Sequence, residues 1–310
     1  MSLIEENLLT GEERVLLSLR GLYREKGYQP FRMSRFEEYD LYARNKDFLV
    51  SENVITFTDT DGRLLALKPD VTLSIVRAAP EEGIQRVHYQ EKVYRVGGFS
   101  RTFQEITQTG IECIGELTER ELAEVLCLAA ASLGCISEHS VLHVSHMGAV
   151  ARLMDQAGLT SEQRKVALEH LSHRAEHLLR AELSAASVPE EALKALCRLC
   201  RLTGGIDEVS EELRGLGCAE ESEMLRRLFE YADEQGQADR LSLDFSVVND
   251  LGYYNGIVFH GYVDGVPVRV LSGGQYDRLL KKLGRKGRAA GFAVYVDTLE
   301  TLLEGGVTPC

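Results

Sequence analysis

The sequence lacks any apolar run close to the roughly 18 residues that a membrane-spanning helix needs, and its N-terminus has no apolar signal core. Positive charge is also scarce, because 35 lysines and arginines stand against 48 aspartates and glutamates, a formal net charge of −13. The field of such a protein opposes polyphosphate. We therefore expect a cytoplasmic globular protein with no membrane contact and no large nucleic-acid surface.

Disulfides, metal sites and nucleophilic catalysis also lack support in the sequence. Seven cysteines, an odd number scattered along the chain, form no disulfide framework and fit a reducing compartment. Cys197 and Cys200 form a CxxC inside a helical pattern, without the second pair that a zinc site needs. His170, His173 and His177 have helical spacing but no convincing third ligand, so we interpret them as a solvated helix face. No serine lies in a nucleophile elbow, so nucleophilic catalysis has no support, and we predict no metal and no cofactor.

The apolar periodicity predicts a strand-rich first part of the chain. A hairpin is indicated by Asp61-Gly62, which is flanked on both sides by alternating apolar and polar residues. The predicted elements, in order, are a helix over residues 7–28, this hairpin, strands over residues 84–96 and 102–115, a helix over residues 116–134, a strand over residues 140–146 and a helix over residues 147–159.

The pattern becomes entirely helical from Thr160 to about residue 240. Thr160 with Gln163, and Ser187 with Glu190, resemble capping boxes, and each is followed by helical periodicity. Strand patterns vanish over the same stretch. This part of the sequence therefore predicts a helical insertion.

Strands return over residues 241–277, where alternate apolar residues share one face and Asp264-Gly265 marks the turn of a second hairpin. The alternating apolar residues are Leu241, Leu243, Phe245 and Val247. One sheet that is interrupted in sequence by helices is the simplest account, so we predict an α+β fold with a mostly antiparallel sheet flanked by helices. Residues 1–159 and 241–310 would form its two parts, separated by the helical insertion over residues 160–240.

Polar side chains on the predicted strands suggest a binding pocket. In "EITQTGIECIG", alternation places Gln108 and Glu112 on one face with Gly110 between them, and a glycine there leaves room for a ligand to approach the sheet. Such carboxylates, together with phenols, suit a small cationic ligand with a flat polar ring, such as an amino acid. The alternative is an ordinary polar strand at the surface. Compatible groups occur in distant segments, at Asp70, Thr72, Tyr253, Tyr254 and Tyr276.

Five segments, in this order, resemble the catalytic domain of histidyl-tRNA synthetase, which has the class II aminoacyl-tRNA synthetase fold. The synthetases also place a helical insertion between them. The segments are "TFTDTDGRLLALKPDVT", "YQEKVYRVGGFSRTFQEITQTGIECIG", "DLGYYNGIVFHGY", "LSGGQYDRLLKKLG" and "AAGFAVYVDTLETLL". The resemblance implies a histidine pocket in which Asp70 takes the place of a glutamate. The residues that it assigns to this pocket are Asp70, Thr72, Gln108, Glu112, Tyr254 and Tyr276.

The resemblance fails at positions that handle ATP in the synthetases. Asn249 stands at the position of a catalytic arginine, and Gly252 replaces a nearby aspartate. Gly97 replaces an acidic residue of the second class motif. Asp297 and Thr298 stand where the third class motif has a glutamate and an arginine that stacks on adenine. Neutral asparagine cannot stabilise the charge that develops when a carboxylate attacks a phosphate, and threonine cannot replace a stacked guanidinium.

A synthetase-like chain with this pattern resembles the regulatory subunit of ATP phosphoribosyltransferase, the first enzyme of histidine biosynthesis. The resemblance implies a non-catalytic chain that assembles with a short catalytic subunit, is required for its activity and takes part in feedback inhibition by histidine. It also implies a dimer, with an interface formed by the region before residue 60 and "IQRVHYQ", no tRNA binding and no anticodon-binding domain. Two alternatives stay open: a truncated or divergent enzyme that adenylates an amino acid, and a free-standing amino-acid sensor.

Overall fold

One large sheet, formed by strands from both ends of the chain, organises the fold. The computed structural model describes residues 8–46, 49, 54–80, 82–96, 102–249 and 251–299. The elements before the predicted insertion are α1 (Gly11–Glu25), β1 (Gln29–Pro30), β2 (Phe36–Glu38), α2 (Tyr39–Ala43), β3 (Thr56–Thr58), β4 (Leu64–Leu67), α3 (Thr72–Ala78), β5 (Gln85–Val96), β6 (Phe103–Gly115), α4 (Glu119–Gly134), β7 (Ser140–His146) and α5 (Met147–Gln156).

The second half of the chain supplies five helices of the insertion and then returns to the sheet. The elements of the insertion are α6 (Ser161–Ser172), α7 (Glu176–Ala185), α8 (Glu190–Arg201), β8 (Thr203–Gly204), α9 (Ile206–Gly215) and α10 (Ala219–Glu234). The elements that follow are β9 (Leu241–Asp244), β10 (Ile257–Val263), β11 (Leu271–Gln275), α11 (Asp277–Lys282) and β12 (Arg288–Tyr295).

Nine strands form the large sheet in the order β1-β5-β6-β12-β11-β10-β7-β9-β8. Strands β12, β11 and β10, which follow the insertion in sequence, lie between β6 and β7, which precede it. Among the described strands, only the pairs β1–β5 and β7–β9 of this sheet are parallel. A second sheet has three antiparallel strands in the order β2-β4-β3, and it contains the predicted Asp61-Gly62 hairpin. The predicted α+β fold with a mostly antiparallel sheet is therefore confirmed.

Helix α4 lies across one face of the sheet and begins three residues later than predicted. Thr118 and Glu121 form a capping box at its N-terminus, which explains the later start. Its apolar residues lie on more than one face, and Leu126 and Leu133 are fully buried. Contacts with β7, β10, β12 and α10 surround it, so α4 is an interior helix rather than a half-exposed amphipathic one.

One of the two predicted capping boxes in the insertion is wrong. Thr160 and Gln163 do form the box of α6, but Ser187 and Glu190 form none. Ser187 has a positive φ of 59° and belongs to the end of α7, where its N–H bonds back to Ser184. The residue that precedes α8 is instead a proline, which makes no side-chain cap. The prediction failed because only four residues separate the end of α7 from the start of α8.

Strand predictions at the edges of the insertion also need correction. The two-residue strand β8 lies inside the stretch that was predicted to be purely helical, and it pairs with β9. Strand β9 ends at Asp244, because the carboxylate of Asp244 accepts hydrogen bonds from the backbone N and the Oγ of Ser246 and turns the chain. Phe245 and Val247 are therefore buried beyond the strand rather than on it. The second hairpin joins β10 to β11, but Asp264-Gly265 lies in a longer connection over residues 264–270.

The groups that were considered for metal or redox chemistry have ordinary places in the fold. Cys197 and Cys200 are buried thiols on α8. His170, His173 and His177 lie at the end of α6, just after it and near the start of α7. In the described part of the chain, no group of three His, Cys, Asp or Glu side chains is arranged to hold a metal ion. Among the same residues, no helix has both the length and the apolar character that crossing a bilayer requires.

Candidate functional site

Strand β6 forms the floor of a cavity, and its alternation is the one that the sequence predicts. Gln108 and Glu112 are almost fully buried, with 3% and 2% exposure. The cavity has a volume of about 360 Å³, within the range of small-ligand sites. A side chain at Gly110 would bring its Cβ within 2.0 Å of the carbonyl oxygen of Phe292, so the glycine between the two polar residues is required for the packing of the sheet.

The predicted histidine-site residues come together in this cavity from separate segments of the chain. Residues from the start of α3, from β6, from the loop before β10 and from the end of β11 contribute to its wall. All six line it: Asp70, Thr72, Gln108, Glu112, Tyr254 and Tyr276. Further polar residues that line the cavity but were not predicted include Tyr89, Arg269, Ser272 and Tyr295. Tyr89, Ser272 and Tyr295 lie on strands, so strand alternation was the available signal for them. Alternation alone does not show which face of the sheet borders the cavity.

Glu112 is held by two hydroxyl groups from other parts of the chain. Thr72 donates from Oγ1 to Oε1 of Glu112 at 2.6 Å, and the hydroxyl of Tyr276 donates to Oε2. Burial raises the pKa of Glu112 to about 8, although both hydrogen bonds favour the ionised form and oppose the rise. Glu112 is therefore an acid that titrates near neutral pH, and a cationic ligand would favour its ionised form.

Asp70 is the second carboxylate of the cavity, and it lies just before helix α3. Its Oδ1 accepts a hydrogen bond from the backbone N of Leu73 at 2.9 Å, which fixes the carboxylate at the helix start. Burial raises the pKa of Asp70, while this hydrogen bond and the guanidinium of Arg95 act in the opposite direction. Asp70 and Glu112 lie close enough for their charges to interact. Two carboxylates in one cavity make it suited to a positively charged group.

Three tyrosines form an aromatic wall above the floor. The ring centroid of Tyr253 lies 4.6 Å from that of Tyr254 and 5.8 Å from that of Tyr276. The prediction that Tyr253 and Tyr254 lie on a strand is wrong, because both belong to the loop between β9 and β10. A loop lets two consecutive side chains lie side by side, whereas a strand would point them to opposite faces. Burial raises the pKa of all three phenols, which stay neutral at physiological pH.

Asp277, which was not predicted as a site residue, joins this loop to the end of β11. Its Oδ2 accepts hydrogen bonds from Nε2 of Gln275 at 2.6 Å and from Nδ2 of Asn255 at 3.0 Å. Its Oδ1 accepts one from the backbone N of Ala289 at 3.0 Å. An acidic residue at the first turn of a short helix, directly after Tyr276, was the signal available in the sequence. Asp277 therefore positions Tyr276 without lining the cavity.

Two of the positions at which the synthetase pattern fails lie near the tyrosines. Asn249 lines the cavity, in the place where the resemblance puts a catalytic arginine. Gly252 belongs to the turn over residues 251–253, which includes Tyr253. Gly97, the third such position, lies outside the residues that the structure describes.

Asp297 and Thr298, the last two of these positions, follow β12, and the side chain of each bonds to the backbone. Oδ2 of Asp297 accepts a hydrogen bond from the backbone N of Thr107 at 2.8 Å. Oγ1 of Thr298 donates one to the carbonyl oxygen of Tyr295 at 2.6 Å. The first bond joins the segment after β12 to β6, and the second closes the turn that follows β12. Both bonds have a structural role.

Comparison with known proteins shows the family to which the chain belongs. The family model for histidyl-tRNA synthetase matches residues 6–299. An ATP phosphoribosyltransferase regulatory subunit from Clostridium kluyveri is 30% identical over 299 residues, which cover 92% of this chain and 76% of the relative. The chain belongs to the histidyl-tRNA synthetase family, among its ATP phosphoribosyltransferase regulatory subunits. The predicted family and the predicted non-catalytic class of protein are thereby confirmed.

Solved structures of this family have the same fold as the chain. An ATP phosphoribosyltransferase regulatory subunit/histidyl-tRNA synthetase from Bacillus halodurans is 27% identical and superposes with a TM-score of 0.84, covering 94% of this chain and 79% of that one. A histidine–tRNA ligase subunit from Alicyclobacillus acidocaldarius is 28% identical with a TM-score of 0.75, covering 98% of this chain and 96% of that one. The class II synthetase-like fold that the sequence predicts is confirmed.

Proposed function

We propose that this chain binds histidine in the cavity and, as a regulatory subunit of ATP phosphoribosyltransferase, relays that binding to a short catalytic subunit. One observation carries the proposal: the cavity keeps Glu112 bonded to Thr72 and Tyr276, yet it has Asn249 where a synthetase has its catalytic arginine. A pocket that retains its amino-acid ligands and loses a cation for ATP suits recognition without activation.

Histidine has the chemistry that the cavity walls complement. Its ammonium group would pair with one of the two carboxylates, Asp70 or Glu112, through charge-assisted hydrogen bonds. Its flat ring would lie against the phenol rings of Tyr253 and Tyr254 and donate an N–H to a remaining acceptor. Gln108 supplies both a donor and an acceptor at the floor. The combination selects for an amino acid whose side chain is aromatic and polar at once.

Regulation follows if histidine binding in the cavity of this chain is coupled in free energy to the active site of the catalytic subunit. Histidine that binds this chain more tightly in an inactive arrangement of the complex would shift the population toward it. By reciprocity, an arrangement that is competent for phosphoribosyl transfer must bind histidine less tightly. In the proposed function, the histidine-free chain is the form that supports the activity of the catalytic subunit.

Self-association through the region before residue 60 and strand β5 is part of the proposal. Phe36 and Phe57 of the three-stranded sheet are 48% and 37% exposed, and their ring centroids are 5.2 Å apart. Leu64 on the neighbouring strand is 48% exposed. An exposed apolar cluster of this kind is typical of a surface that another protein chain covers, and a second copy of this chain is the proposed occupant.

Reconstitution with a short catalytic subunit tests the proposal. We expect phosphoribosyl transfer to ATP to rise when the purified chain is added and to fall again when histidine is added. A histidyl-tRNA synthetase catalytic domain, which has the same fold, serves as the matched control and should not raise the activity. Activity that this chain leaves unchanged would contradict the proposed partner and would favour the free-standing amino-acid sensor.

A further inference from the structure

An amino-acid ligand carries a carboxylate, and the cavity needs a cation to meet it. Two arginines, Arg95 and Arg269, are among the described side chains that line the cavity. Arg95 is engaged at the Asp70 side, where its Nε donates to the carbonyl oxygen of Pro69 at 2.9 Å. Arg269 belongs to the connection between β10 and β11 and is exposed, with its Nη1 lying 3.4 Å from Nε2 of His260. The two cations therefore belong to different sides of the site.

The register of the sheet locates Arg269 relative to the floor. Gly110 on β6 pairs with Ala293 on β12, which pairs with Ser272 on β11, which pairs with His260 on β10. This row spans three strand spacings, about 14 Å. Its two central residues have small side chains, which leave the floor open between them. The carboxylates belong to the β6 end of the row, and the guanidinium that contacts His260 belongs to the β10 end.

We infer that Arg269 binds the carboxylate of the amino-acid ligand. This inference rests on the proposed function, because it takes the cavity to be an amino-acid site. In that arrangement Arg269 supplies a positive charge to a cavity in which Asn249 stands in place of an arginine. Arg269 does so from the connection between β10 and β11, whereas Asn249 lies in the loop between β9 and β10. A guanidinium is suited to this task because its planar donors match the two oxygens of a carboxylate. The ligand would then lie between Glu112 and β10, with its ammonium group toward the two carboxylates and its carboxylate, which is bonded to the same carbon atom, turned toward Arg269.

His260 is suited to hold the guanidinium in place. Its side chain is buried, with 7% residue exposure, and burial lowers its pKa to about 3, with the charge of Arg269 acting in the same direction. The ring is therefore neutral at physiological pH, and its Nε2 accepts a hydrogen bond from the guanidinium instead of repelling it. His260 acts as a positioning residue for Arg269 and makes no direct contact with the ligand.

Arg269→Gln tests the inference when binding of histidine is compared with binding of histidinol. Histidinol keeps the ammonium group and the ring but has a hydroxymethyl group in place of the carboxylate. We expect Arg269→Gln to weaken histidine binding to the full-length chain about tenfold and to leave histidinol binding within about twofold of wild type. Arg269→Lys should retain part of the preference for histidine. Arg63→Gln, an exposed arginine in the first hairpin, is the matched control and should change neither ligand.

The outcomes separate this inference from the proposed function. Equal losses for histidine and histidinol in Arg269→Gln, or no loss for either, would overturn the role of Arg269 while leaving the histidine pocket intact. A histidine-selective loss in Arg95→Gln together with none in Arg269→Gln would also overturn it, because the carboxylate would then lie at the other side. Wild-type chain that binds neither ligand would contradict the proposed histidine site itself.

Discussion

The hydroxyl of Tyr276 donates a hydrogen bond to Glu112, which lies 164 residues earlier in the chain. Thr72, a further 40 residues before Glu112, donates to the other carboxylate oxygen. A buried carboxylate without partners is strongly destabilising, and two hydroxyl donors make this one tolerable. The same two bonds leave its remaining lone pairs available to a ligand. Folding of the sheet therefore assembles the site, because none of the three residues is near another in sequence.

Histidine affinity should depend on pH through Glu112. Its pKa of about 8 means that below pH 8 the carboxyl group of the ligand-free chain holds a proton, which a cationic ligand must displace. Affinity should therefore rise with pH, on the order of tenfold between about pH 7 and 8.5, and calorimetry in buffers of different ionisation enthalpy should detect proton release. Glu112→Gln is the matched control, since a neutral amide cannot titrate and its weaker binding should be flat over the same range. Wild-type affinity that is independent of pH would contradict this account of Glu112.

The isolated chain should not catalyse ATP–pyrophosphate exchange with histidine or with any other standard amino acid. The positions that supply cations in a synthetase are Asn249 and Thr298, and the barrier to adenylation falls mainly through fixed positive charge. A histidyl-tRNA synthetase assayed in parallel provides the positive control. Exchange clearly above a blank without enzyme would support the alternative of a divergent adenylating enzyme.

Asp277→Ala should destabilise the chain by about 3 kcal/mol, because it leaves three donors without their acceptor in a largely buried network. Chemical denaturation measures the loss, and it should appear as a lower midpoint. Asp61→Ala, in the exposed turn of the first hairpin, is the matched control and should change stability by less than about 0.5 kcal/mol. A loss for Asp277→Ala as small as that of the control would show that the network does not hold the loop.

The chain should self-associate at micromolar concentration, and light scattering should give at least the mass of a dimer. The exposed apolar residues Phe36 and Phe57 are the basis for this expectation. Phe36→Glu combined with Phe57→Glu should shift the mass toward the monomer, since charge at the centre of an apolar contact is strongly unfavourable. Leu178→Glu, at an exposed apolar position on α7, is the control. A strictly monomeric wild-type chain would contradict the proposed interface.

Local periodicity was sufficient to predict much of the fold and the floor of the site. The alternation of Gln108, Gly110 and Glu112 along β6 is a property of a single strand, so it could be read without knowledge of its neighbours. The strand over residues 140–146 was predicted for the same reason and matches β7 in both bounds. The insertion helices follow from helical spacing, and a capping box marked the start of the first.

The remaining features depend on contacts between distant residues. The pairing of Asp277 with Asn255 and Ala289 has no local pattern, and neither does the approach of Arg269 to His260. Tyr253 and Tyr254 looked like strand residues because aromatic residues favour strands, but tertiary packing requires both rings on one wall. Propensity cannot anticipate such a requirement.

Glu112→Ala in the reconstituted complex tests the central claim most directly. If this cavity is the histidine sensor, the loss of about 1.5 to 3 kcal/mol of binding should raise the histidine inhibition constant of phosphoribosyl transfer by about tenfold to a hundredfold. Assembly with the catalytic subunit must be verified by gel filtration. Glu105→Gln, on the same strand but exposed at its start, is the matched control and should leave the constant unchanged. An inhibition constant for Glu112→Ala equal to that of wild type, in a complex that assembles normally, would contradict the assignment of this cavity as the sensor.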